Sequence, residues 1–186
     1  YYNKTSQAGL VRHFTTVADQ IQIPVLVYNV PSRTGCNIKP ETYQELSKHP
    51  NILGTKEANG DISSIAKTLA LCGDDFIVYS GNDDQVLPIM ALGGKGVVSV
   101  FSNILPREMH EIASACLQGD WERARHDFLN WVDVMEALFF DVNPIPVKEA
   151  MNLMGKAAGP CRLPLVEMEP KAKERMIAVL QKHGLL

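Results

Sequence analysis

One lysine, Lys56, stands inside the apolar, strand-like run ILGTKEA at residues 52–58. Enclosing a lysine away from water disfavours its ammonium form, because the charge loses its hydration. The neutral amine that results is a nucleophile, and it condenses with a carbonyl compound to form an imine. A lysine at a strand end also commonly reaches solvent or pairs with a carboxylate. The neighbouring motifs favour the first interpretation, a Schiff-base lysine.

Tyr28 lies near the end of a second strand-like run, at residues 24–29. Strand alternation places Ile52, Gly54 and Lys56 on one face of their strand, and Leu26 and Tyr28 on one face of the earlier strand. Both Tyr28 and Lys56 lie near the carboxyl ends of their runs, which is where parallel α/β proteins bind ligands. A phenol next to an imine-forming amine can move the protons that this chemistry requires. The alternative is that Tyr28 is an ordinary half-buried strand aromatic.

A proline-containing turn follows in the segment YNVPSRTG at residues 28–35, and it carries Arg33. A rigid guanidinium at the mouth of a pocket is suited to bidentate binding of a carboxylate, although a lone loop arginine is more often solvated. The segments SGND at 80–83 and GGKG at 93–96 close two later strands. Their glycines either let backbone approach a ligand or form tight turns.

Short β-branched runs alternate with amphipathic helical patterns along the first part of the chain. Strands that are apolar on both faces predict a parallel sheet covered by helices, either a doubly wound sheet or a (β/α)8 barrel. Four strands alone cannot close such a barrel. The predicted strands are residues 24–29, 52–57, 76–80 and 96–100, and the predicted helices are residues 6–21, 40–46, 62–71, 83–92 and 105–117.

Beyond residue 119 the strand pattern gives way to helical patterns. We therefore predict two domains, a partial barrel over residues 1–118 and a C-terminal helical domain over residues 119–186. The predicted helices of the second domain are residues 121–140, 146–154 and 170–183.

Composition and charge favour a small-molecule partner. The 186 residues are 46% hydrophobic with a formal net charge of −3, and no basic face interleaved with aromatics suggests nucleic acid or an anionic membrane. The longest apolar run, GVVSVF at 96–101, is too short to cross a bilayer, and no secretion signal opens the chain. The cysteines are far apart, which predicts reduced thiols in the cytoplasm and no metal site or disulfide framework. The chain begins YYNK without an initiator methionine, so we expect a piece of a longer protein.

Several segments in this order resemble the dihydrodipicolinate synthase family, a group of pyruvate-dependent class I aldolases. They are YNVPSRTG at 28–35, GTKEANGD at 54–61, SGND at 80–83, GVVSV at 96–100 and NPIPVK at 143–148. The resemblance covers essentially the whole chain. It implies a TIM (β/α)8 barrel with a C-terminal helical extension, of which this chain is the C-terminal half with the first strands missing. It also implies a homotetramer built from two tight dimers.

The resemblance implies that Lys56 forms an imine with pyruvate, that Tyr28 relays protons and that Arg33 binds the carboxylate of aspartate semialdehyde. The product would be 4-hydroxy-tetrahydrodipicolinate, an intermediate of diaminopimelate and lysine biosynthesis. No cofactor is expected.

Further residues match family positions. Tyr2 matches a tyrosine that reaches across the dimer interface into the neighbouring site, and Tyr1 matches one near the cleft where lysine inhibits some members. Gly81 and Val98 match positions whose backbone contacts pyruvate.

The family's early segment resembling GTTGE, which supplies a threonine of the proton relay and donors for the pyruvate carboxylate, is absent here. We therefore expect this chain alone to be inactive. One alternative is a sister enzyme, N-acetylneuraminate lyase or a keto-deoxy sugar acid aldolase, with the same amine and phenol chemistry but a longer polyol substrate. Arg33 argues against it, because a guanidinium suits a short amino-acid aldehyde. Another alternative is a truncated, non-catalytic regulatory partner that binds an intact synthase through Tyr1 and Tyr2.

Overall fold

A computed structural model describes residues 3–186, and the chain divides into two compact units. The first unit ends at Val98, and the second runs from Ser99 to Leu186. The helix Pro106–Leu117 belongs to the second unit because it packs against the helix Trp121–Ala137. The division therefore falls before this helix, whereas the sequence predicts a domain boundary after it, at residue 118.

Within the described residues the first unit contains a four-stranded parallel sheet, whose strands are neighbours in their order along the chain. The prediction of a parallel α/β fold is confirmed. The predicted fourth strand is shorter than expected, because regular pairing ends after Val97. The strands are β1 Val25–Asn29, β2 Ile52–Glu57, β3 Ile77–Ser80 and β4 Gly96–Val97.

Helices connect these strands. The pattern at residues 83–92 predicts one helix, but the structure has a 3-10 turn at Asp83–Gln85 followed by a short α-helix. A further single-turn helix forms in the segment predicted as a proline-containing turn. The helices of this unit are α1 Gln7–Asp19, α2 Pro31–Thr34, α3 Pro40–Leu46, α4 Ile62–Cys72 and α5 Val86–Ala91.

The second unit consists of helices and connecting loops in the described residues. The first helix of this unit packs on the second, and the last helix contacts the two helices that precede it. No helix of residues 3–186 has the length and apolar character needed to span a bilayer. These helices are α6 Pro106–Leu117, α7 Trp121–Ala137, α8 Ile145–Leu153 and α9 Pro170–Lys182, preceded by a 3-10 turn at Phe101–Asn103.

Local signals explain where the helices around the sheet begin. The Ser6 hydroxyl accepts a hydrogen bond from the Gly9 N–H at 3.1 Å, and the Asp61 carboxylate accepts one from the Ser64 N–H at 3.0 Å. Such N-caps satisfy backbone donors that the first helical turn leaves unpaired, and each contributes about 1 kcal/mol. Helices α2 and α3 instead start at a proline, which is pre-organised for the first helical position.

The two faces of the sheet differ sharply in exposure. Val27 and Val78 are each 1% exposed and join a hydrophobic core on the helix-covered face, which also contains Ile65 of α4. Burying a side chain of this size fully stabilises the fold by about 1.5–3 kcal/mol. On the opposite face Leu26 and Tyr28 are each 46% exposed. The helix side therefore supplies the core, and the other face of β1 is open.

A register irregularity corrects the expected facing of one residue. Val25 pairs with Ile52 but Leu26 pairs with Gly54, so Leu53 is an extra residue in β2 and is 38% exposed. Such a bulge reverses the alternation on one side of it. Ile52 consequently lies in the helix-side core with Val27, and the prediction that it shares a face with Gly54 and Lys56 is wrong.

Gly54 is required by the close approach of two strands. A Cβ atom at this position would collide with the carbonyl oxygen of Ile77 in β3. Any side chain there would push β3 away from β2, at the centre of the sheet.

We expect Gly54→Ala to lower the free energy of unfolding by about 3 kcal/mol or more, because the clash is with backbone and cannot be relieved by a rotamer change. Gly184→Ala is the control, since its Cβ meets open space and only the positive φ of 65° is strained, costing about 1 kcal/mol. Urea unfolding of both variants measures the difference, and equal losses would contradict the explanation.

Candidate active site

The structure brings Tyr28 and Lys56 together. They are directly paired residues of the adjacent parallel strands β1 and β2, and both lie one residue before the strand end. The Lys56 Nζ atom lies 4.1 Å from the centroid of the Tyr28 ring. Residues paired across parallel strands project to the same face, so the sheet itself places the amine against the phenol ring.

Lys56 is half-buried rather than enclosed. The physical reason is the open face of the sheet, on which Leu26 and Tyr28 are also exposed. In the described residues the Lys56 amine contacts the Tyr28 ring, and it lies on the open face of the sheet.

Gly81 leaves room for the lysine side chain. A Cβ atom on Gly81 would lie 3.2 Å from Cε of Lys56 and 2.7 Å from Cβ of Ala58. The second distance is closer than Cβ contacts in proteins, so a side chain at this position would displace its neighbours. Glycine at the end of β3 therefore keeps the space beside Lys56 free.

Backbone hydrogen bonds extend the sheet just past the strand ends at the two predicted backbone positions. The Gly81 N–H donates to the Glu57 carbonyl at 2.7 Å, and the Val98 N–H donates to the Ser80 carbonyl at 2.8 Å. Both N–H groups are thus hydrogen-bonded within the sheet. The carbonyl oxygens of Gly81 and Val98 are therefore the backbone groups left for contact with a ligand.

Arg33 lies on the single-turn helix α2, which Gly35 ends with a left-handed φ of 64°. Its exposed side chain lines a cleft of about 630 Å³ that Tyr28, His13 and Lys4 also line. Tyr28 therefore contacts Lys56 and also belongs to the cleft that contains Arg33. Basic side chains around an aromatic wall suit an anionic ligand.

A buried polar network lies on the other face of the same strands. The Glu57 side chain, 2% exposed, accepts hydrogen bonds from Asn29 Nδ2 at 2.9 and 3.1 Å and from the Tyr43 hydroxyl at 2.8 Å. The backbone N–H of Asn59 donates to Glu57 Oε1 at 2.9 Å. The Thr55 hydroxyl lies 3.1 Å from the Tyr43 hydroxyl. We name Glu57, Asn29, Tyr43 and Thr55 the strand-end network.

Burial dominates the acid–base behaviour of this network. It raises the pKa of the Glu57 carboxyl, and the hydrogen bonds from Asn29, Tyr43 and Asn59 offset only part of that rise. Burial, together with the negative charge of Glu57, also raises the pKa of the Tyr43 phenol. Tyr43 consequently remains a protonated donor toward Glu57 across the ordinary pH range.

The motifs point to Lys56, Tyr28 and Arg33 but not to the strand-end network. A signal was present: alternation from Lys56 sends Glu57 to the opposite, helix-covered face, where a carboxylate needs donors. The identity of those donors depends on how α3 packs on the sheet, because Tyr43 is fourteen residues away in the chain.

The predicted interface residues Tyr1 and Tyr2 lie outside the described residues. Among residues 3–186 no group of three or more metal-ligating side chains is placed to hold an ion. The cysteines Cys36, Cys72, Cys116 and Cys161 are free thiols.

Comparison with known proteins supplies independent information on this arrangement. A model of the Dihydrodipicolinate synthetase family matches residues 1–183. A 4-hydroxy-tetrahydrodipicolinate synthase from Thermoanaerobacter sp. (strain X514) is 57% identical over 187 residues, and one from Acetivibrio thermocellus is 49% identical over 186 residues. Each alignment covers 100% of this chain and 63% of the relative.

Solved structures give the same result for the fold. The crystal structure of dihydrodipicolinate synthase from Aquifex aeolicus aligns with a TM-score of 0.96 at 42% identity, and so does the enzyme from Thermotoga maritima. Each alignment covers 100% of this chain and 64% of the solved chain.

These matches settle the class of protein. They cover a parallel α/β fold with a lysine and a tyrosine paired at its strand ends. The chain belongs to the dihydrodipicolinate synthetase family, and the resemblance of its motifs is confirmed. It spans a little under two thirds of the length of the relatives that it matches.

The raised pKa of Glu57 predicts a pH dependence with a definite sign. A folded-state pKa above the unfolded value means that the folded chain binds the proton more tightly. The free energy of unfolding of the wild type, minus that of Glu57→Gln, should therefore fall as the pH rises from about 4.3 to the folded-state pKa of Glu57. Above that pKa the difference between the two proteins should stay constant. Urea unfolding of both proteins at a series of pH values measures it.

Glu41→Gln is the matched control with the opposite sign. The hydrogen bond from Lys67 lowers the pKa of the exposed Glu41 carboxyl. The contribution of the Glu41 carboxylate to the free energy of unfolding should therefore be present above the unfolded-state pKa. It should be lost as the pH falls through the folded-state pKa. A wild-type advantage over Glu57→Gln that grows with pH would contradict the sign derived for Glu57.

Proposed function

We propose that this chain carries the imine-forming site of a pyruvate-dependent class I aldolase, a lyase that condenses pyruvate with aspartate semialdehyde to 4-hydroxy-tetrahydrodipicolinate. The observation that carries the proposal is the contact of Lys56 Nζ with the Tyr28 ring, 4.1 Å from its centroid, at the carboxyl ends of adjacent parallel strands. The names of relatives that are 49 and 57% identical support the reaction type.

In the first step the Lys56 amine attacks the keto carbon of pyruvate. A carbon–nitrogen bond forms, and the keto oxygen leaves as water once it has been protonated. Tyr28 is the proposed proton carrier for this dehydration, because its ring already contacts the amine. Loss of a methyl proton then converts the imine to an enamine.

In the second step the enamine carbon attacks the aldehyde carbon of aspartate semialdehyde. A carbon–carbon bond forms, the aldehyde carbonyl takes up a proton and becomes the hydroxyl of the product, and the enamine returns to an imine. The amino group of this second substrate then attacks the imine carbon, closes the ring and releases the Lys56 amine. Arg33 is the proposed ligand for the carboxylate of aspartate semialdehyde. Its position in the cleft that Tyr28 also lines supports this role.

Backbone at Gly81 and Val98 is the proposed contact surface for pyruvate. The N–H groups of both residues are used within the sheet, so the carbonyl oxygens are the proposed contacts. Tyr2 is proposed to complete the proton relay in a neighbouring subunit, and Tyr1 to lie near an inhibitory lysine cleft. Both assignments rest on the sequence motifs, as does the proposed homotetramer of two tight dimers.

The chain is also proposed to form the C-terminal half of a TIM (β/α)8 barrel with a helical extension. The parallel four-stranded sheet supports this, since β1 and β4 are its edges in the described residues. The exposed Leu26 and Tyr28 would then face the interior of the closed barrel. The 63% share of the relatives that the chain spans fits the same interpretation.

We expect borohydride to trap a pyruvate-derived group on Lys56 in the complete protein, because reduction converts the imine into a stable secondary amine. Peptide mapping by mass spectrometry measures the site. Lys56→Arg, which keeps the charge but is not nucleophilic, should abolish the adduct. Labelling at Lys67 or Lys148 in place of Lys56 would overturn the assignment.

We expect the purified 186-residue chain by itself to give no detectable condensation of pyruvate with aspartate semialdehyde, because half a barrel leaves the amine open to water. A coupled spectrophotometric assay of this chain beside the complete protein measures the difference. Turnover by the chain alone would refute the half-barrel proposal and leave the lysine chemistry intact.

A further inference from the structure

The strand-end network lies directly behind the proposed catalytic pair. Strands β1 and β2 pair Tyr28 with Lys56 and, one residue further on, Asn29 with Glu57. Because successive side chains alternate, the first pair faces the open side of the sheet and the second pair faces the helices. The two pairs therefore share two short stretches of backbone but have separate surroundings.

Glu57 ties together the elements around these strand ends. Its carboxylate accepts hydrogen bonds from Asn29 on β1, from Tyr43 on α3 and from the N–H of Asn59 just beyond β2. Asn29 in turn donates to Asn37 Oδ1 at 2.8 Å. The carboxyl end of β2 is thus connected by side-chain hydrogen bonds to its neighbouring strand and to its covering helix.

Further contacts of the same network fix the preceding residue of β2 and the loop after α2. The Thr55 hydroxyl lies 2.9 Å from the Val27 carbonyl oxygen of β1, and Asn29 Oδ1 accepts a hydrogen bond from the Ile38 N–H at 3.2 Å. Thr55 and Glu57 flank Lys56 in the chain, so the lysine is the residue between two anchored positions.

Ordinary core packing does not account for a carboxylate here. Burying a charged or polar group costs free energy unless it is fully hydrogen-bonded, and the buried core cluster of this unit consists of hydrophobic residues. A carboxylate makes directional contacts, because its oxygens accept hydrogen bonds from donors at fixed positions on β1 and α3. A slip of the strand by one residue would break these bonds and turn Lys56 to the opposite face.

We infer that Glu57 is a positioning residue for the imine chemistry: through Asn29 and Tyr43 it holds the ends of β1 and β2 so that the Lys56 amine stays against Tyr28. The inference rests on the proposed function. Reacting groups are sensitive to such placement, since a displacement of about 1 Å can lower a rate about a hundredfold.

Two variants and one control test the role. Glu57→Gln keeps the size of the side chain but replaces one acceptor oxygen by a donor facing other donors. Tyr43→Phe keeps the ring and removes one hydrogen bond to the carboxylate. Thr68→Val is the matched control, because Thr68 is 3% exposed and its hydroxyl donates to the Ser64 carbonyl within α4, away from the strand ends.

The experiment measures imine formation with pyruvate in the complete protein by borohydride quenching at a series of times and pyruvate concentrations. We expect Glu57→Gln to lower the maximal rate about tenfold or more and Tyr43→Phe to lower it about threefold, with the half-saturating pyruvate concentration within about twofold of wild type. Thr68→Val should leave both quantities within about twofold.

Several outcomes would overturn the role. One is a maximal rate for Glu57→Gln equal to that of Thr68→Val, and another is a change confined to the half-saturating concentration. Circular dichroism verifies that each variant folds. If Glu57→Gln does not fold, Tyr43→Phe decides the question by the same criteria.

Failure of the proposed function gives a different result. If wild-type protein forms no pyruvate adduct, the rate at which trinitrobenzenesulfonate arylates Lys56, mapped by mass spectrometry, replaces imine formation as the readout. A change of about threefold or more in Glu57→Gln relative to wild type and Thr68→Val supports positioning of the amine. Equal rates in the three proteins overturn it.

Discussion

The parallel pairing of β1 with β2, held to its last residues by the hydrogen bond between Asn29 and Glu57, is the constraint on which the site depends. A lysine side chain is long and has several rotatable bonds. Its amine therefore samples many positions near a strand end unless the backbone of the residue is fixed. Here the backbone on both sides of Lys56 is anchored through Thr55 and Glu57. The Lys56 side chain can therefore remain half-exposed while the backbone that carries it is fixed.

The two faces of the sheet carry different kinds of residues. The helix-covered face combines apolar core residues with the strand-end network, whereas the opposite face carries Tyr28 and Lys56 and is open at β1. Glycines make this division possible at two places, because Gly54 lets β3 approach β2 and Gly81 leaves space for the lysine side chain. The buried, stabilising contacts thus lie on the helix-covered face, and the accessible side chains lie on the open face. Sites that need a rigid support are commonly built in this way.

Membership of the dihydrodipicolinate synthetase family gives these local features a consistent meaning. The chain matches its relatives over its whole length but spans less than two thirds of theirs. The open face of the sheet is the observation that the proposed half-barrel would explain. In that proposal, the surface that exposes Leu26 and Tyr28 is the interior of the closed barrel.

The amino-acid sequence by itself determined the parallel α/β class, the strand that carries Lys56 and the strand that carries Tyr28, because hydrophobic period and glycine or proline punctuation are local signals. It did not determine the bulge at Leu53, the short β4 or the shortened helix α5. Only the tertiary structure decided that the amine meets the ring face of Tyr28 and that Tyr43 reaches Glu57. These contacts join residues far apart in the chain, so they depend on how strands register and helices pack, which a local pattern does not encode.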